Sequence, residues 1–581
     1  MDNNLVSLAL AKIIRQNKSL TALLIVAVLG VVLAVLIPPQ ILKLIVDHNL
    51  VPKNSDGLML WAALYLGTLV FIGIFDFLKE SLLTILGQKI TGEIRGEMMY
   101  KLGRMKTGFF SKHESGVVVS RMINDAETIN ALFTNGVIGM LVSSFKIIGI
   151  VISIWLFSYQ LGLITLAFLP IIYGLTRLFQ MHMLDAQMVS RVLTGKVNNH
   201  IAESFNNMMM IKSFGKEKYM EQKFTGYLQD NFKTLEKVNF YDAVYSPIIQ
   251  VLRAIVISGI VLLSAGKIGI AGISLGMVAA SIELISNLFE PVESLGMELQ
   301  NIQQAISGVR RVNEFYNEPE DEKKDEHLTA AEIIPDRAAV SLKFEGVGFQ
   351  YEAGADILKD INLSLGTFAH VTFVGRTGVG KSTLFKLVMG LLQPQAGKIT
   401  LNGVDVTRIP HHEKRKLFGY VEQSFHLVEG TVADQISLGD DSINPGQIRE
   451  ALEFVGMWEY VETLEQGLDT PVHANSFFSQ GQKQLLAIAR AVVTKPPILL
   501  LDEITANVDS ITEDRIVSVL RKASQAYTVL SISHRLSAMS ASDTVVILEN
   551  GRIKNTGSPE VLLQNDAWYR NHLALEKLTW D

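Results

Sequence analysis

The 581-residue chain contains no cysteine. That excludes disulfides, thiolate metal sites and cysteine nucleophiles, and it suits a chain whose large soluble part sits in a reducing cytosol. Charge is also scarce: 19% of residues are Asp, Glu, Lys or Arg against 48% hydrophobic, an apolar balance for a soluble enzyme. The formal net charge of -6 is small for this length. It gives no electrostatic footprint for nucleic acid, and that class of partner is set aside. The apolar excess points to a lipid bilayer.

Six stretches in the first three hundred positions are apolar over about 20 helical residues, the length that crosses a bilayer core. They lie near residues 20–46, 58–84, 136–158, 161–184, 246–266 and 273–295. The expectation is an all-α six-helix transmembrane domain over 20–316. Residues 1–19 carry Lys12, Arg15 and Lys18 in a helical pattern, and the apolar run behind them is too long for a signal peptide, so an interfacial helix is expected there. Basic residues collect on one side of the spans: these three, then Lys89, Arg95, Lys101, Arg104, Lys106 and Lys112, then Lys212, Lys216 and Lys218. By the positive-inside rule that side is the cytosol, with both termini inside and the plasma (inner) membrane as the location. Two polar excursions with helical periodicity, roughly 85–135 and 185–245, are expected to carry the neighbouring spans beyond the membrane.

From 317 to 337 the composition turns to Glu, Asp, Lys and Pro, which reads as a solvated linker. Beyond it, over 338–581, short β-type runs alternate with helical patterns, as in an α/β domain. Within that domain Gly375-Arg376-Thr377-Gly378-Val379-Gly380-Lys381-Ser382 is a complete phosphate-binding loop, preceded by strand-like Val371–Val374 and followed by a helical run from Thr383. Its glycines let backbone N–H groups close around phosphates at a helix N-terminus. Lys381 supplies a point charge to the outer phosphates, and the Ser382 hydroxyl can ligate Mg²⁺. A second apolar strand, Ile498–Leu501, ends in Asp502-Glu503, which puts one carboxylate on the Mg²⁺ shell and the next where it can polarise a water. A nucleotide's phosphates and Mg²⁺ are the ligands these residues lead one to expect. Ser479-Gln480-Gly481-Gln482 opens a further helical run as a small-residue turn able to bind an anion.

Taken in order, and with Ser533-His534 after a third strand, these segments resemble the nucleotide-binding domain of ABC transporters, from residue 341 to about 575. The resemblance implies that Tyr351 stacks on adenine and that the loop through Thr383 holds ATP. Gln423 would lie between Mg²⁺ and the membrane interface, Glu503 would be the general base, and His534 would hold the γ-phosphate and the attacking water. Asp509 resembles the loop that connects the two active sites of a dimer. Ser479, Gly481 and Gln482 resemble the signature turn that reaches the γ-phosphate bound by the opposite subunit, so a second half-transporter, identical or homologous, is implied. Two departures stand out: Gln480 occupies the place of the usual first glycine of the signature, and His473-Ala474-Asn475-Ser476 lacks the acidic-glycine residues usual before it. The second keeps open a heterodimer with unequal ATP sites.

The inner excursions resemble the coupling helices of the exporter branch, in Phe109-Phe110 through Asp125 and in Glu203 through Glu217, and Pro291 through Arg311 resembles the usual exit from the sixth span. Charge inside a span is costly and points to function. Glu283 and Lys146 fall nearest mid-membrane; Glu283 either lines a cavity for a cationic or polar substrate or pairs with Lys146 or Arg253 as structure. Asp76, Lys79 and Glu80 fall toward the inner end of the second span, within reach of water. The implied function is ATP-driven export of a drug, lipid or peptide by alternating access. The alternatives are an ATP-binding membrane regulator that does not pump, and an importer on the exporter architecture.

Overall fold

The computed structural model describes residues 4–265, 274–321, 324–336, 339–351, 354, 356–423, 425–473, 478–504, 510–533, 539 and 542–578. It divides into two units, Met1–Met105 with Lys112–Glu320, and Lys106–Ser111 with Asp321–Asp581.

The first unit is helical. Six helices among its described residues are long and apolar enough to cross a membrane: Lys18–Leu50, Leu58–Leu102, Ser115–Phe157, Tyr159–Asn206, Glu217–Leu262 and Leu275–Asn317. The 45-residue second helix is about 67 Å long at 1.5 Å per residue, roughly twice a hydrocarbon core, so its polar second half runs on outside the apolar layer. Prolines 38, 39, 170 and 247 lie inside these helices without ending them, as lipid-embedded helices tolerate. Ile150, Ile154, Leu161, Ile260, Leu284 and Phe289 form the buried core of the bundle. Met59 and Phe77 of the second helix are 87% and 74% exposed, an apolar face suited to lipid. Asp47, at the end of the first span, accepts hydrogen bonds from the Ser274 hydroxyl (2.6 Å) and the Gly276 N–H (2.8 Å) at the start of the sixth. A Cβ at Gly276 would sit 2.4 Å from the Lys43 carbonyl oxygen. Before the spans, Leu5–Gln16 is amphipathic, burying Leu5, Val6, Ala9 and Ile13, with Asn4 capping its start by accepting from the Ser7 N–H.

The second unit takes in residues read from sequence as a solvated linker. From Asp321 on, Lys324 donates to the Thr407 carbonyl (3.0 Å), Asp325 pairs with Arg408 (2.9 Å), and Ile333 and Ile334 enter the hydrophobic core. Lys324 and Asp325 thus meet partners, while Glu326 and Glu332 stay exposed. Its two isoleucines supply an anchor that a reading of charge alone overlooks.

Among its described residues this unit contains twelve strands: β1 Leu342–Phe349, β2 Leu358–Leu365, β3 His370–Val374, β4 Ala396–Leu401, β5 Val404–Asp405, β6 Phe418–Val421, β7 Gly430–Thr431, β8 Pro471–Val472, β9 Ile498–Asp502, β10 Thr528–Ile532, β11 Thr544–Glu549 and β12 Arg552–Gly557. One sheet runs β2-β1-β4-β5, a second runs β12-β11-β3-β10-β9-β6, and β7-β8 form a short pair. In the six-stranded sheet β11, β3, β10, β9 and β6 are mutually parallel and only β12 runs against them. Strands β3, β9 and β10 are buried at every residue, as expected of central parallel strands covered on both faces. Their carboxyl ends fall at one edge, where ligands bind in open parallel sheets.

Candidate active site

Strand β3 ends at Val374, and the chain then turns sharply: φ is 152° at Gly375, 85° at Gly378 and 106° at Gly380. At Gly375 and Gly380 a side chain would not fit. A Cβ at Gly375 would lie 2.4 Å from the Leu548 carbonyl oxygen, and one at Gly380 would lie 2.8 Å from Ile357. The tip formed by Arg376, Thr377 and Gly378 is exposed, while Lys381 in the first turn of the Lys381–Val388 helix is buried. Its Nζ folds back to donate to the carbonyls of Gly375 (2.7 Å) and Arg376 (3.3 Å). Burial lowers the Lys381 ammonium below its ordinary pKa, against the pull of the Glu503 and Asp502 charges. Such a partly desolvated cation interacts strongly with an arriving phosphate. Tyr351 stands edge-on to Phe349 at 4.9 Å between centroids, its hydroxyl 3.3 Å from the Thr383 Oγ1. The ring is 39% exposed, which leaves surface for a planar base to cover.

Sheet register builds the rest. Val421 of β6 pairs with Leu501 of β9, so Gln423 and Glu503, each two residues further on, emerge side by side. The Gln423 Nε2 donates to the Glu503 Oε2 at 2.6 Å. Glu503 holds φ 48°, and its N–H donates to the Ile532 carbonyl (3.0 Å). A left-handed non-glycine residue is strained by about 1–3 kcal/mol; here it turns the side chain out of the strand end toward Gln423. Beside it the Asp502 carboxylate, 4% exposed, hydrogen-bonds the Ser382 side chain, and burial raises its pKa above the usual carboxylate range. Asp502 thereby joins the strand β9 end to the phosphate loop.

Ser479 caps the Gln480–Val492 helix in a reciprocal box: its side chain accepts from the Gln482 N–H (3.2 Å), and the Gln482 side chain accepts from the Ser479 N–H (2.8 Å). Gly481 packs against Thr512, with no room for a Cβ. Among the described residues no hydrogen bond joins this turn, exposed at Ser479 and Gln480, to the 375–383 loop of its own chain. His534, Asp509 and residues 474–477 lie outside the described residues.

Sequence reasoning missed two residues on that same helix. Gln484, fully buried, donates from Nε2 to the Gln423 carbonyl (3.2 Å). Arg490 donates to the Gln435 carbonyl (2.6 Å), and its guanidinium lies 4.2 Å from the Phe425 ring centroid. Burial, with the Arg415 charge nearby, lowers the pKa of Arg490 to about 10. The helix thus grips the segment carrying Gln423 at two points. The available signal was a glutamine standing on an otherwise apolar helix face.

In the membrane unit Glu283 does not form the structural pair with Lys146 or Arg253 that is one of its two readings. Its Oε1 accepts from the Tyr65 hydroxyl (3.1 Å), not from Lys146 or Arg253, and its Oε2 is buried with no partner among the described residues. Lys146 lies instead within electrostatic reach of Glu298, whose Oε1 accepts from the Ser143 hydroxyl (3.0 Å). Arg253 rests 5.5 Å from the Phe289 ring centroid. Helix facing decides these partners, and spacing along one span does not encode it. Lys79 bridges Asp76 and Glu80, each at 3.1 Å.

Among the described residues no cluster of three or more acidic or histidine side chains could hold a metal alone. The oxygens of Ser382, Asp502 and Gln423 form a sparse hard-donor set, which fits Mg²⁺ held jointly with nucleotide phosphates better than a resident ion.

Comparison with known proteins agrees with this architecture. The family described as the ABC transporter transmembrane region matches residues 20–292, and the family described as ABC transporter matches residues 358–506. An ABC transporter ATP-binding protein of Streptococcus pneumoniae is 29% identical, the match covering 94% of each chain. An ATP-dependent lipid A-core flippase of Thiobacillus denitrificans is 28% identical over 93% of this chain and 92% of its own. A fatty acid ABC transporter ATP-binding/permease protein of Mycobacterium bovis is 26% identical over 88% and 80%. A solved bacterial Atm1-family ABC exporter with ATP bound shares the fold, with a TM-score of 0.79 and 24% identity over 96% of this chain and 99% of that one. With six apolar helices and a phosphate-loop ATPase in one polypeptide, the chain belongs to the ABC transporter family as an exporter-type half-transporter, an ATPase coupled to transport.

Proposed function

We propose that two such subunits, identical or homologous, pair to export an amphiphilic substrate across the inner membrane, with the nucleotide domains in the cytosol. The observation that carries the reading is the 2.6 Å contact between Gln423 and Glu503, at the same sheet edge as the Ser382–Asp502 pair and the phosphate loop. The basic residues of the inner excursions support the orientation. The lipid A-core and fatty acid transporters among the relatives make a lipid-like cargo the first class to try.

Tyr351 stacks on the adenine, and the 375–383 loop wraps the phosphates, with Lys381 exchanging its carbonyl partners for phosphate oxygens. Ser382, Asp502 and Gln423 would hold Mg²⁺, which would supply neutralisation of the phosphate charge. Glu503, aimed by Gln423, accepts a proton from the attacking water. His534 holds the γ-phosphate. The Ser479–Gln482 turn and Asp509 complete the site of the other subunit, so nucleotide clamps the two domains together. Hydrolysis releases them, and the spans alternate between inward and outward access.

Native mass spectrometry of nanodisc-embedded Glu503→Gln with ATP tests the pairing: two chains and two nucleotides per particle are expected, and single-chain particles retaining ATP would overturn it. ATP-dependent lipid movement in proteoliposomes, absent with Lys381→Ala, separates a pump from a regulator that only binds ATP.

A further inference from the structure

A small cavity of about 70 Å³ lies within the membrane unit between the fourth, fifth and sixth long helices, lined by Phe179, Gln180, Met183, Tyr241, Tyr245, Glu293 and Met297. It is a built site. Tyr245 is fixed by donating to the Thr176 hydroxyl (3.2 Å) and packs against Phe179 at 5.8 Å between centroids. Tyr241 packs against His182 at 5.7 Å. Gln180 is buried and donates to the Glu293 carbonyl (3.3 Å); Gly296 lets the two helices meet there, since a Cβ would collide with the Gln180 side chain. The Glu293 carboxylate lies within electrostatic reach of the Tyr245 hydroxyl.

We propose that this cavity receives the ammonium headgroup, a protonated amine or quaternary ammonium, of an amphiphilic substrate whose apolar tail stays among the spans. The inference rests on the reading of the chain as an exporter and names the class of its cargo. Three aromatic rings line it, and an aromatic face attracts a cation through the ring quadrupole. The methionines add polarisable, adaptable walls. The Glu293 carboxylate adds an acidic group to the lining, which favours a cation over a neutral or anionic head. An anionic headgroup of the same size meets the carboxylate and ring faces with the wrong sign, and an alcohol gains neither term. Because a single water needs about 10–15 Å³ on this measure, the space admits a headgroup of several atoms and excludes a whole lipid.

The test is photolabelling of the full chain in nanodiscs, without nucleotide, by a decylamine carrying a diazirine in its chain, with sites mapped by mass spectrometry. Label is expected within residues 176–183, 241–245 and 293–297. Unlabelled decylamine should compete at least tenfold better than decanol or decanoate, and Glu293→Gln should cut that preference to threefold or less. Label elsewhere, equal competition by decanoate, or an intact preference in the variant would overturn the proposal. If Glu293→Gln fails to fold, Phe179→Leu removes a ring without altering charge. Amine labelling should then fall at least threefold relative to the parent, and unchanged labelling would equally refute the site. Since no ATP is present, failure here is distinguishable from failure of the pump reading, which would show as ATPase activity persisting in Glu503→Gln.

Discussion

Replacing Gln484 with leucine asks how the hydrolytic edge is held. The glutamine is fully buried, with Nε2 on the Gln423 carbonyl at 3.2 Å and Oε1 without a partner. Leucine removes one hydrogen bond worth about 0.5–1.5 kcal/mol net, together with an orphaned buried oxygen that costs about 1–3 kcal/mol. Gln423 is exposed, so water can satisfy its carbonyl. The terms sum to a fold that is unchanged or stabilised by about 1 kcal/mol, a rise of up to about 2–4 °C in Tm for a domain of this size. Hydrolysis moves the other way. Gln423 loses the tether that sets it against Glu503, and kcat should fall about tenfold, or about 1.4 kcal/mol of barrier. The KM for ATP, set by the 375–383 loop, should stay within twofold. Paired ATPase and thermal-shift assays in nanodiscs read both. A parental kcat, or a Tm more than about 3 °C lower, would refute the reasoning.

Other substitutions have equally definite outcomes. Gly375→Ala drives a Cβ toward the Leu548 carbonyl, 2.4 Å away, and should weaken ATP binding at least tenfold by equilibrium titration while the membrane unit keeps its helical signal. Asp502→Asn should raise the Tm of nucleotide-free protein at neutral pH, because a carboxylate whose pKa is raised by burial is disfavoured in the fold once ionised. That penalty is full above the raised folded-state pKa, fades as pH falls from there, and is gone below the unfolded-state pKa, so the gain should vanish in acid, and added Mg²⁺ should no longer tighten ATP binding. Ile333→Ala, at a position 2% exposed, should destabilise the nucleotide domain by about 2–5 kcal/mol in chemical denaturation, whereas a solvated linker would show no change.

Local features of this chain were legible where chemistry is local. The phosphate loop is one continuous segment whose glycines announce its positive φ values, and Asp502-Glu503 closes an apolar strand of five buried residues. The spans declare themselves by length and hydropathy alone. What stayed hidden depends on register and facing. Gln423 meets Glu503 across 80 residues because β6 and β9 are neighbours in the sheet, and Glu283 meets Tyr65 across 218 because two helices face each other. The 317–337 segment misled because charge dominated the reading, while Ile333 and Ile334 determined where it packs.

The most direct measurement is the steady-state ATPase rate of the purified chain in lipid nanodiscs beside Glu503→Gln, with ATP binding measured in both. With Glu503 as the base aimed by Gln423, the parent hydrolyses ATP, and the variant binds it with similar affinity but turns over at least about a hundredfold more slowly. Hydrolysis by Glu503→Gln at the parental rate would contradict the account.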